Sequence, residues 1–120
     1  MQRLRKRGEY LVLRRYGQKR HCGAFIVIYK KTDDGPTRLG LTVSRKVGGA
    51  VQRNRVKRLV REFFRINYKR IGHGMDISII AKRGSPSLSY EEVSRQLHFL
   101  TGLNAGQDSS NDQTVSYTSD

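Results

Sequence analysis

Apolar and polar residues recur with two different periods along this chain, and the two periods predict strands and helices. Leu39, Leu41 and Val43 alternate with small or polar residues, which is typical of a strand with one buried face. From residue 51 to residue 70 the apolar residues instead recur every three or four positions, as in an amphipathic helix. The predicted order is a helix over 9–16, strands over 24–30 and 38–44, a helix over 51–70, a strand over 76–81 and a helix from about 89 to 102.

Turn-forming residues separate these predicted elements. Asp33-Asp34-Gly35-Pro36 follows the first strand and predicts a hairpin loop that returns the chain into the second strand. Gly72-His73-Gly74 ends the long helix, and Ser89 with Glu92 forms a capping box that opens the last helix. The α-β-β-α-β-α order predicts the α+β class, a single-domain α-β sandwich whose mixed β-sheet is packed by helices.

Composition divides the chain into a basic body and a polar tail. All 24 Lys and Arg residues lie within 1–103 together with 7 acidic residues, so this body has a formal charge of +17. Residues 104–120 hold three acids and no base among many Ser, Asn, Thr and Gln residues. Such a segment buries too little apolar area to offset its ordering entropy. We therefore predict one folded domain over 1–103 and a disordered tail over 104–120.

A charge density of this kind predicts a polyanionic partner. Like charges repel within the folded body, and nucleic-acid phosphates relieve that repulsion while they release counterions. No apolar run approaches the ~20 residues of a membrane-spanning helix, and the basic N-terminus lacks the features of a signal peptide. The single Cys22 forms no internal disulfide, which fits a reducing compartment. We therefore expect a cytoplasmic RNA-binding protein that does not associate with membranes.

The predicted helix over 51–70 concentrates this charge on one face. Eight basic residues, most of them arginines, share the helix with a single acid, Glu62. The planar guanidinium of arginine suits bidentate contacts with phosphate. A merely solvated face and a helix that lies on a membrane surface are the alternatives. The predicted sheet-facing arc holds Val56, Leu59, Val60, Phe63, Phe64 and Ile66, and the opposite arc holds Arg55, Lys57, Arg58, Arg61, Arg65 and Lys69.

Residues on the outward arc are expected to serve binding rather than folding. Replacing Arg55 or Arg61 with Ala should weaken RNA binding and flatten its salt dependence, because each change removes a phosphate partner. The free energy of unfolding is expected to change little in either variant.

The segment around this helix carries a specific signature. Residues 44–65 read SRKVGGAVQRNRVKRLVREFFR, and this string closely resembles the signature of the bacterial ribonuclease P protein subunit. Its core is Arg53-Asn54-Arg55, followed by Lys57-Arg58 and Arg61, which is a more specific match than a generic basic run. The resemblance extends over about residues 3 to 102, so it covers the predicted domain and leaves out the tail.

The resemblance implies an accessory role in RNA processing. Proteins of this family are subunits of an endoribonuclease whose catalytic RNA performs the phosphodiester cleavage that removes the 5′ leader from precursor tRNA. Mg²⁺ is implied to be used by that RNA, so no protein-borne active site, metal or cofactor is expected. A monomer in a 1:1 complex with the catalytic RNA and a left-handed βαβ crossover at the long helix are also implied. The residues implied to face RNA are Arg45, Lys46, Arg53, Asn54, Arg55, Lys57, Arg58, Arg61 and Arg65.

A cleft between the first helix and the sheet is implied by the same resemblance to hold the single-stranded leader. Tyr10 and Phe25 are its implied apolar or stacking surfaces, and stacking on aromatic rings accepts any base sequence. One turn after Tyr10 the family usually has a second aromatic residue, whereas this chain has Arg14. Leader contacts at that end are therefore expected to be more electrostatic. Packing in the core is an equally open role for Tyr10.

Other functions stay open from the residues alone. A ribosomal or ribosome-associated protein would have similar size and charge, and a DNA-architectural protein would also be basic. A protein enzyme with its own active site has little support, because no paired carboxylates or histidine pair can be placed. No other histidine lies at zinc-ligand spacing from His21 and Cys22. Glu62 and Asp76, isolated in a basic field, are expected to balance charge rather than to hold magnesium.

Overall fold

Five strands and three α-helices make up the part of the chain that the computed structural model describes, residues 2–4, 6–32 and 35–103. The predicted α+β class is confirmed, and the predicted tail over 104–120 lies outside the described residues. The helices are α1 (Arg7–Tyr16), α2 (Ala50–Ile71) and α3 (Tyr90–Leu97), with short 3-10 helices at Ser85–Ser87 and His98–Gly102. The strands are β1 (Gln2–Arg3), β2 (Gln18–Cys22), β3 (Phe25–Lys31), β4 (Arg38–Thr42) and β5 (Met75–Ala81).

Strand β5 lies at the centre of the sheet, whose strand order is β1-β4-β5-β3-β2. Nearly all of its residues are buried, and such continuous burial requires strands on both edges and cover on both faces. β4 pairs with β5 in parallel and β3 pairs with it antiparallel, so the sheet is mixed as predicted. The parallel strands flank α2 along the chain, which makes β4-α2-β5 the predicted crossover unit. Its left-handedness stays a prediction.

The predicted hairpin between strands β3 and β4 is wrong. β5 lies between these two strands, and the hairpin partner of β3 is β2, with Cys22 opposite Phe25. Gly23 makes this tight turn with a φ of +57°, a conformation that suits glycine. The sequence did not predict β2, because Gln18–Cys22 is almost wholly polar and only Cys22 is buried in this edge strand. β1 was missed as well, since two residues carry no periodic signal.

Helices cover the two faces of the sheet unequally. α2, α3 and the last 3-10 helix cover one face, where they form the larger hydrophobic core with strand residues that include Phe25. α1 covers part of the other face, where Leu13 packs in a small core with Ile28. Ile26 and Ile80 pack against this small core but stay half-buried. The α1 face therefore keeps an accessible apolar strip on the sheet.

The buried stripe of α2 differs from the predicted one at a single turn. Val60, Phe63 and Phe64 are buried as predicted. Ile66 is 53% exposed, so its predicted place on the sheet-facing arc is wrong, because it lies roughly 100° of helical turn from the centre of the buried stripe. Asn67 is buried instead, and its side-chain Nδ2 donates to the backbone carbonyl of Phe63 at 2.9 Å. That bond satisfies a polar group that would otherwise be enclosed without a partner.

A charge network fastens α1 to the sheet. Arg38 on β4 donates to both carboxylate oxygens of Asp76 on β5, at 2.8 and 2.7 Å, and also to the carboxylate of Glu9 on α1. The hydrogen bonds to Asp76, and secondarily to Glu9, raise the pKa of Arg38. Asp76 therefore balances charge, as the sequence predicted. Through this network the first helix and two neighbouring strands are joined at one guanidinium.

Phe63→Ala is expected to lower the free energy of unfolding by about 3–5 kcal/mol, because it empties a fully buried site in the larger core. Denaturant unfolding followed by circular dichroism measures this loss. Ile66→Ala is the matched control on the same helix, and its half-exposed site should cost no more than roughly 0.5 kcal/mol. Equal losses in the two variants would contradict the assignment of faces on α2.

Candidate nucleic-acid interface

The outer face of α2 presents most of the predicted RNA-facing side chains to solvent. Neighbouring cations on one helix face repel each other, so a bound polyanion that bridges them is favoured. Arg53 and Lys57 are half-buried. The other seven predicted residues are exposed, namely Arg45, Lys46, Asn54, Arg55, Arg58, Arg61 and Arg65.

The turn before α2 brings two of these cations to the N-terminal end of the helix. Arg45 and Lys46 are both exposed there. The Gly49 backbone N–H donates to the side-chain Oε1 of Gln52 at 2.8 Å, which caps the helix. A Cβ on Gly48 would lie 2.2 Å from that same oxygen, so the cap requires glycine at this position. The positive end of the helix dipole adds to the two cations, and the combination favours anions.

The two arginines of the signature core do not simply point outwards. Arg53 is half-buried, and its Nε is enclosed without a hydrogen-bond partner among the described residues. Arg55 is exposed, but its Nε donates to the Pro86 carbonyl at 3.1 Å and its Nη2 donates to the Leu88 carbonyl at 3.0 Å. These bonds tie α2 to the loop that precedes α3. Arg55 therefore has a structural role as well, and the expectation that its removal leaves stability unchanged is revised.

Arg65 shares its charge with the single acidic residue of α2. Its Nε and Nη2 donate to the two carboxylate oxygens of Glu62 at 2.8 and 2.6 Å. The hydrogen bonds from Arg65 hold the pKa of Glu62 below its usual range. A solvent-exposed pair of this kind contributes little to stability. It matters for binding, because a phosphate that contacts Arg65 has to compete with Glu62.

Two of the three residues predicted for the leader cleft are accessible to solvent. Arg14 is exposed on α1, and Tyr10 is half-buried beside the sheet. Phe25 is fully buried and belongs to the larger core under α2 and α3, so its assignment to this cleft is wrong. Side chains alternate between the two faces of a strand, and Ile26 turns to the α1 face together with its register partner Ile80. Residues 25–29 are all apolar or aromatic, so the sequence of this strand does not show which of its faces α1 covers.

The Tyr10 ring packs between the N-terminal segment and β4. Its hydroxyl donates to the Leu4 carbonyl at 3.1 Å. A Cβ on Gly40 would lie 2.5 Å from the same hydroxyl oxygen, so glycine at this position makes room for the ring. Tyr10 packs against the small core and is still partly accessible, which allows both core packing and contact with a ligand.

A cleft of about 500 Å³ opens at the edge of the sheet between α1, β4 and α2. We call it the edge cleft. The sequence did not predict it, because it joins residues from three distant segments of the chain. One signal was available in α2, where Tyr68 follows Arg61 by seven positions and so lies on the same helix face. The residues around the cleft include Arg3, Tyr10, Leu41, Arg61, Phe64 and Tyr68.

Most acidic groups near these surfaces are engaged by neighbouring cations. Glu9 and Asp76 contact Arg38, and Glu62 contacts Arg65. Within the described ranges, no three acidic, histidine or cysteine side chains converge as a metal site requires. None of the described helices combines the length and the apolarity needed to cross a membrane. Cations and aromatic rings therefore dominate the accessible chemistry of the described domain.

Comparison with known proteins identifies relatives over most of the chain. A family model described as Ribonuclease P matches residues 1–103. The chain is 43% identical over 99 residues to the ribonuclease P protein component of Syntrophus aciditrophicus, covering 82% of this chain and 83% of the relative. It is 45% identical over 98 residues to that of Geotalea uraniireducens, covering 80% and 84%. The solved RNase P protein from Thermotoga maritima is 33% identical with a TM-score of 0.74, covering 84% of this chain and 96% of that protein. The Staphylococcus aureus RNase P protein is 26% identical with a TM-score of 0.75, covering 87% and 95%.

Arg55→Ala is expected to lower the free energy of unfolding by about 1 kcal/mol, because two backbone carbonyls of the loop before α3 lose their hydrogen bonds. Urea unfolding measures the change. Arg58→Ala removes the same charge from an exposed site three residues further along α2 and should change stability by no more than roughly 0.5 kcal/mol. The same unfolding free energy for both variants would show that the contacts of Arg55 do not support the fold.

Proposed function

Because the chain belongs to the bacterial ribonuclease P protein family, we propose that it binds precursor tRNA in addition to the catalytic RNA. We propose further that it does so as a monomer, in a 1:1 complex with the catalytic RNA. It is the protein subunit of the ribonuclease P ribonucleoprotein, an endoribonuclease that processes tRNA, and its partner is the ribonuclease P RNA. Its part in the cleavage is that of an accessory subunit.

The observation that carries the proposal is the cationic outer face of α2. Arg58 and Arg61 are exposed there, while the opposite side of the helix is buried in the larger core. A helix held in this way presents its cations at fixed distances from one another. RNA phosphates can therefore bind them without the entropic cost of ordering the helix. Each phosphate contact also releases counterions, which favours binding and makes it salt-dependent. We assign this face, with Arg45 and Lys46 at its N-terminal end, to the catalytic RNA.

The chemistry of cleavage is assigned to the RNA, together with the Mg²⁺ that the reaction uses. In the described domain the carboxylates of Glu9, Asp76 and Glu62 are held by arginines. A magnesium ion prefers oxygen ligands that can converge on it. These three carboxylates would have to leave their arginine partners to serve as such ligands. The protein acts by positioning and by neutralising phosphate charge.

The 5′ leader of precursor tRNA is assigned to the α1 face of the sheet. Ile26 and Ile80 form an apolar strip there, Tyr10 adds a partly accessible ring, and Arg14 adds an exposed cation. Apolar and aromatic surfaces accept bases of any identity, as an enzyme with many substrates requires. Arg14 would contact the leader through phosphate. Phe25 has no part in this surface, since it is buried on the other face.

The cytoplasm is the proposed location. The buried Cys22 is the only cysteine of the chain and forms no disulfide within it, which fits a reducing compartment. Both proposed RNA partners are made in the cytoplasm of a bacterial cell.

Cleavage of a precursor tRNA by a bacterial ribonuclease P RNA at low Mg²⁺ is expected to require this protein, and the protein alone should cleave nothing. The rate of 5′ leader release, measured by gel electrophoresis, tests this. Arg58→Ala combined with Arg61→Ala should reduce the stimulation by roughly tenfold or more, because two charge-assisted phosphate contacts are lost.

Lys19→Ala combined with Lys31→Ala is the charge-matched control, since both lysines are exposed on strands away from α2. This control should keep most of the stimulation. Equal losses in the two double variants would mean that net charge, and not the face of α2, supports the activity. No stimulation by the unchanged protein would contradict the proposed function itself.

Glu62→Gln is expected to tighten RNA binding and to steepen its salt dependence, because Arg65 no longer shares its guanidinium with a carboxylate. One additional phosphate contact should change the slope of log K against log salt by about −0.7 to −0.9. Filter binding to ribonuclease P RNA over a series of KCl concentrations measures this slope. Glu91→Gln removes the same charge from an exposed site on α3 and should leave the slope unchanged. An equal effect of both variants would show that Arg65 is not a phosphate ligand.

A further inference from the structure

We propose that the edge cleft binds one unstacked nucleotide of single-stranded RNA, with its base against the Tyr68 ring and its phosphates on Arg61 and Arg3. This inference rests on the proposed RNA-binding role of the domain, and it adds a site at the sheet edge that borders the outer face of α2 at Arg61 and the leader surface at Tyr10. The cleft volume of about 500 Å³ is in the range of small-molecule sites, which run from roughly 300 to 1,000 Å³.

One wall of the edge cleft is a stripe of α2 in which cations and aromatic rings alternate. Arg61, Phe64, Arg65 and Tyr68 follow each other at the i, i+3, i+4 and i+7 spacing, so they lie along one helix face. Phe64 is buried at the base of this stripe, whereas Tyr68 is 48% exposed. A half-exposed ring beside cations combines the two groups that hold single-stranded RNA, a stacking surface for a base and donors for its phosphates.

The floor of the edge cleft is a strand edge with hydrogen-bonding groups to offer. The short strand β1 pairs with β4 only at Arg38 and Leu39, and the Leu39 carbonyl accepts a hydrogen bond from the Leu4 backbone N–H at 3.1 Å. Backbone groups of a strand face the same edge at every second residue, so the N–H and C=O of Leu41 face this edge beyond the end of β1. One donor beside one acceptor matches the edge of a nucleobase, where donors and acceptors are also adjacent.

The charge around the edge cleft favours a nucleotide over a peptide. Arg3 stands on the N-terminal side and Arg61 on the α2 side, and no acidic residue is among the described residues that line the cleft. A peptide strand could also add to the edge of β4. Such a peptide would bring one backbone and few charges to a site that has several guanidinium groups. A nucleotide brings a planar ring and flanking phosphates, which match the stripe of α2.

The test uses the absence of tryptophan from the chain. Tyr68→Trp places a single fluorophore in the edge cleft, and Tyr16→Trp places one on α1 at a ring that is 65% exposed and outside the cleft. Each variant is titrated with pentauridylate, with an abasic oligomer of the same length and charge, and with a pentaglutamate peptide. Fluorescence of the Tyr68→Trp protein should be quenched saturably by pentauridylate, and much less by the two ligands without bases. The Tyr16→Trp protein should show no such difference.

Affinity measurements on Tyr68→Ala provide a second readout. This variant should bind pentauridylate roughly 5- to 100-fold more weakly, the range expected for one base stacked on an aromatic ring. Tyr68→Phe should bind as the unchanged protein does, because it keeps the ring. Tyr16→Ala is the matched control and should also bind normally. Equal affinities of Tyr68→Ala and Tyr16→Ala, or equal quenching by the abasic oligomer or by pentaglutamate, would overturn the proposal.

The source of the nucleotide is distinguished with natural RNAs. A fluorescence change of the Tyr68→Trp protein on adding ribonuclease P RNA alone assigns the nucleotide to the catalytic RNA. A change that needs precursor tRNA with its leader, and is absent with mature tRNA, assigns it to the leader. If the protein binds ribonuclease P RNA but neither RNA changes the fluorescence, the edge-cleft proposal is wrong and the proposed function still holds. If the unchanged protein binds no ribonuclease P RNA at all, the proposed function fails with it.

Discussion

The structure depends on burying one side of α2 while the other side carries a row of like charges. Lys57, Arg61 and Arg65 follow each other at four-residue intervals, and each such pair costs an isolated helix roughly 0.2–0.5 kcal/mol. Burying one large apolar side chain contributes about 1.5–3 kcal/mol, and Val60 and Phe63 are both fully enclosed. Packing therefore outweighs repulsion by a wide margin. Glu62 relieves part of the repulsion at Arg65, and a bound anion relieves the rest, so the same arrangement that strains the free protein favours its complex with RNA.

The sequence predicted most of the elements but not how the strands pair. Periodicity within one segment reveals whether it is a helix or a strand, and α2 and β4 were predicted from it, whereas β3 was predicted from its β-branched and aromatic residues. Pairing is a relation between segments, and the hairpin prediction failed because β5, about thirty residues after β4, inserts between β3 and β4. The sequence of β5 carried little sign that it belongs in the centre, because Asp76 and Ser78 interrupt its apolar residues although both are buried in the structure. β2 had no such sign, since an exposed edge strand needs neither alternation nor apolar residues when its neighbour supplies the core contacts.

The candidate site could be predicted as far as it lies on a single helix. The outward arc of α2 follows from helical geometry alone, and Arg58 and Arg61 are exposed as that geometry requires. Contacts between two elements could not be predicted, because the pattern within one segment does not show what packs against it. The family resemblance placed Phe25 on the leader surface, and the sequence of the strand could not correct this, because it does not reveal which helix covers which face. The contacts of Arg55 with the loop before α3, and the cleft that Tyr68 and β4 line together, depend on tertiary packing that no local pattern contains.

The position of α1, which borders both the leader surface and the edge cleft, depends on charge as much as on apolar packing. The small core beneath α1 holds few buried residues, whereas Arg38 joins Glu9 of this helix to Asp76 of the central strand. The Asp76 side chain is only 12% exposed, so without the guanidinium its carboxylate would stay largely enclosed and uncompensated, which costs much more than a surface ion pair contributes. Arg38 is also the first residue of β4, and the residues that follow it line the floor of the edge cleft. Its partner Glu9 directly precedes Tyr10, which lines the same cleft. One guanidinium thus sets the spacing between the Tyr10 ring and β4. The cleft is formed before any ligand arrives, and its shape is held by a group that no RNA has to touch.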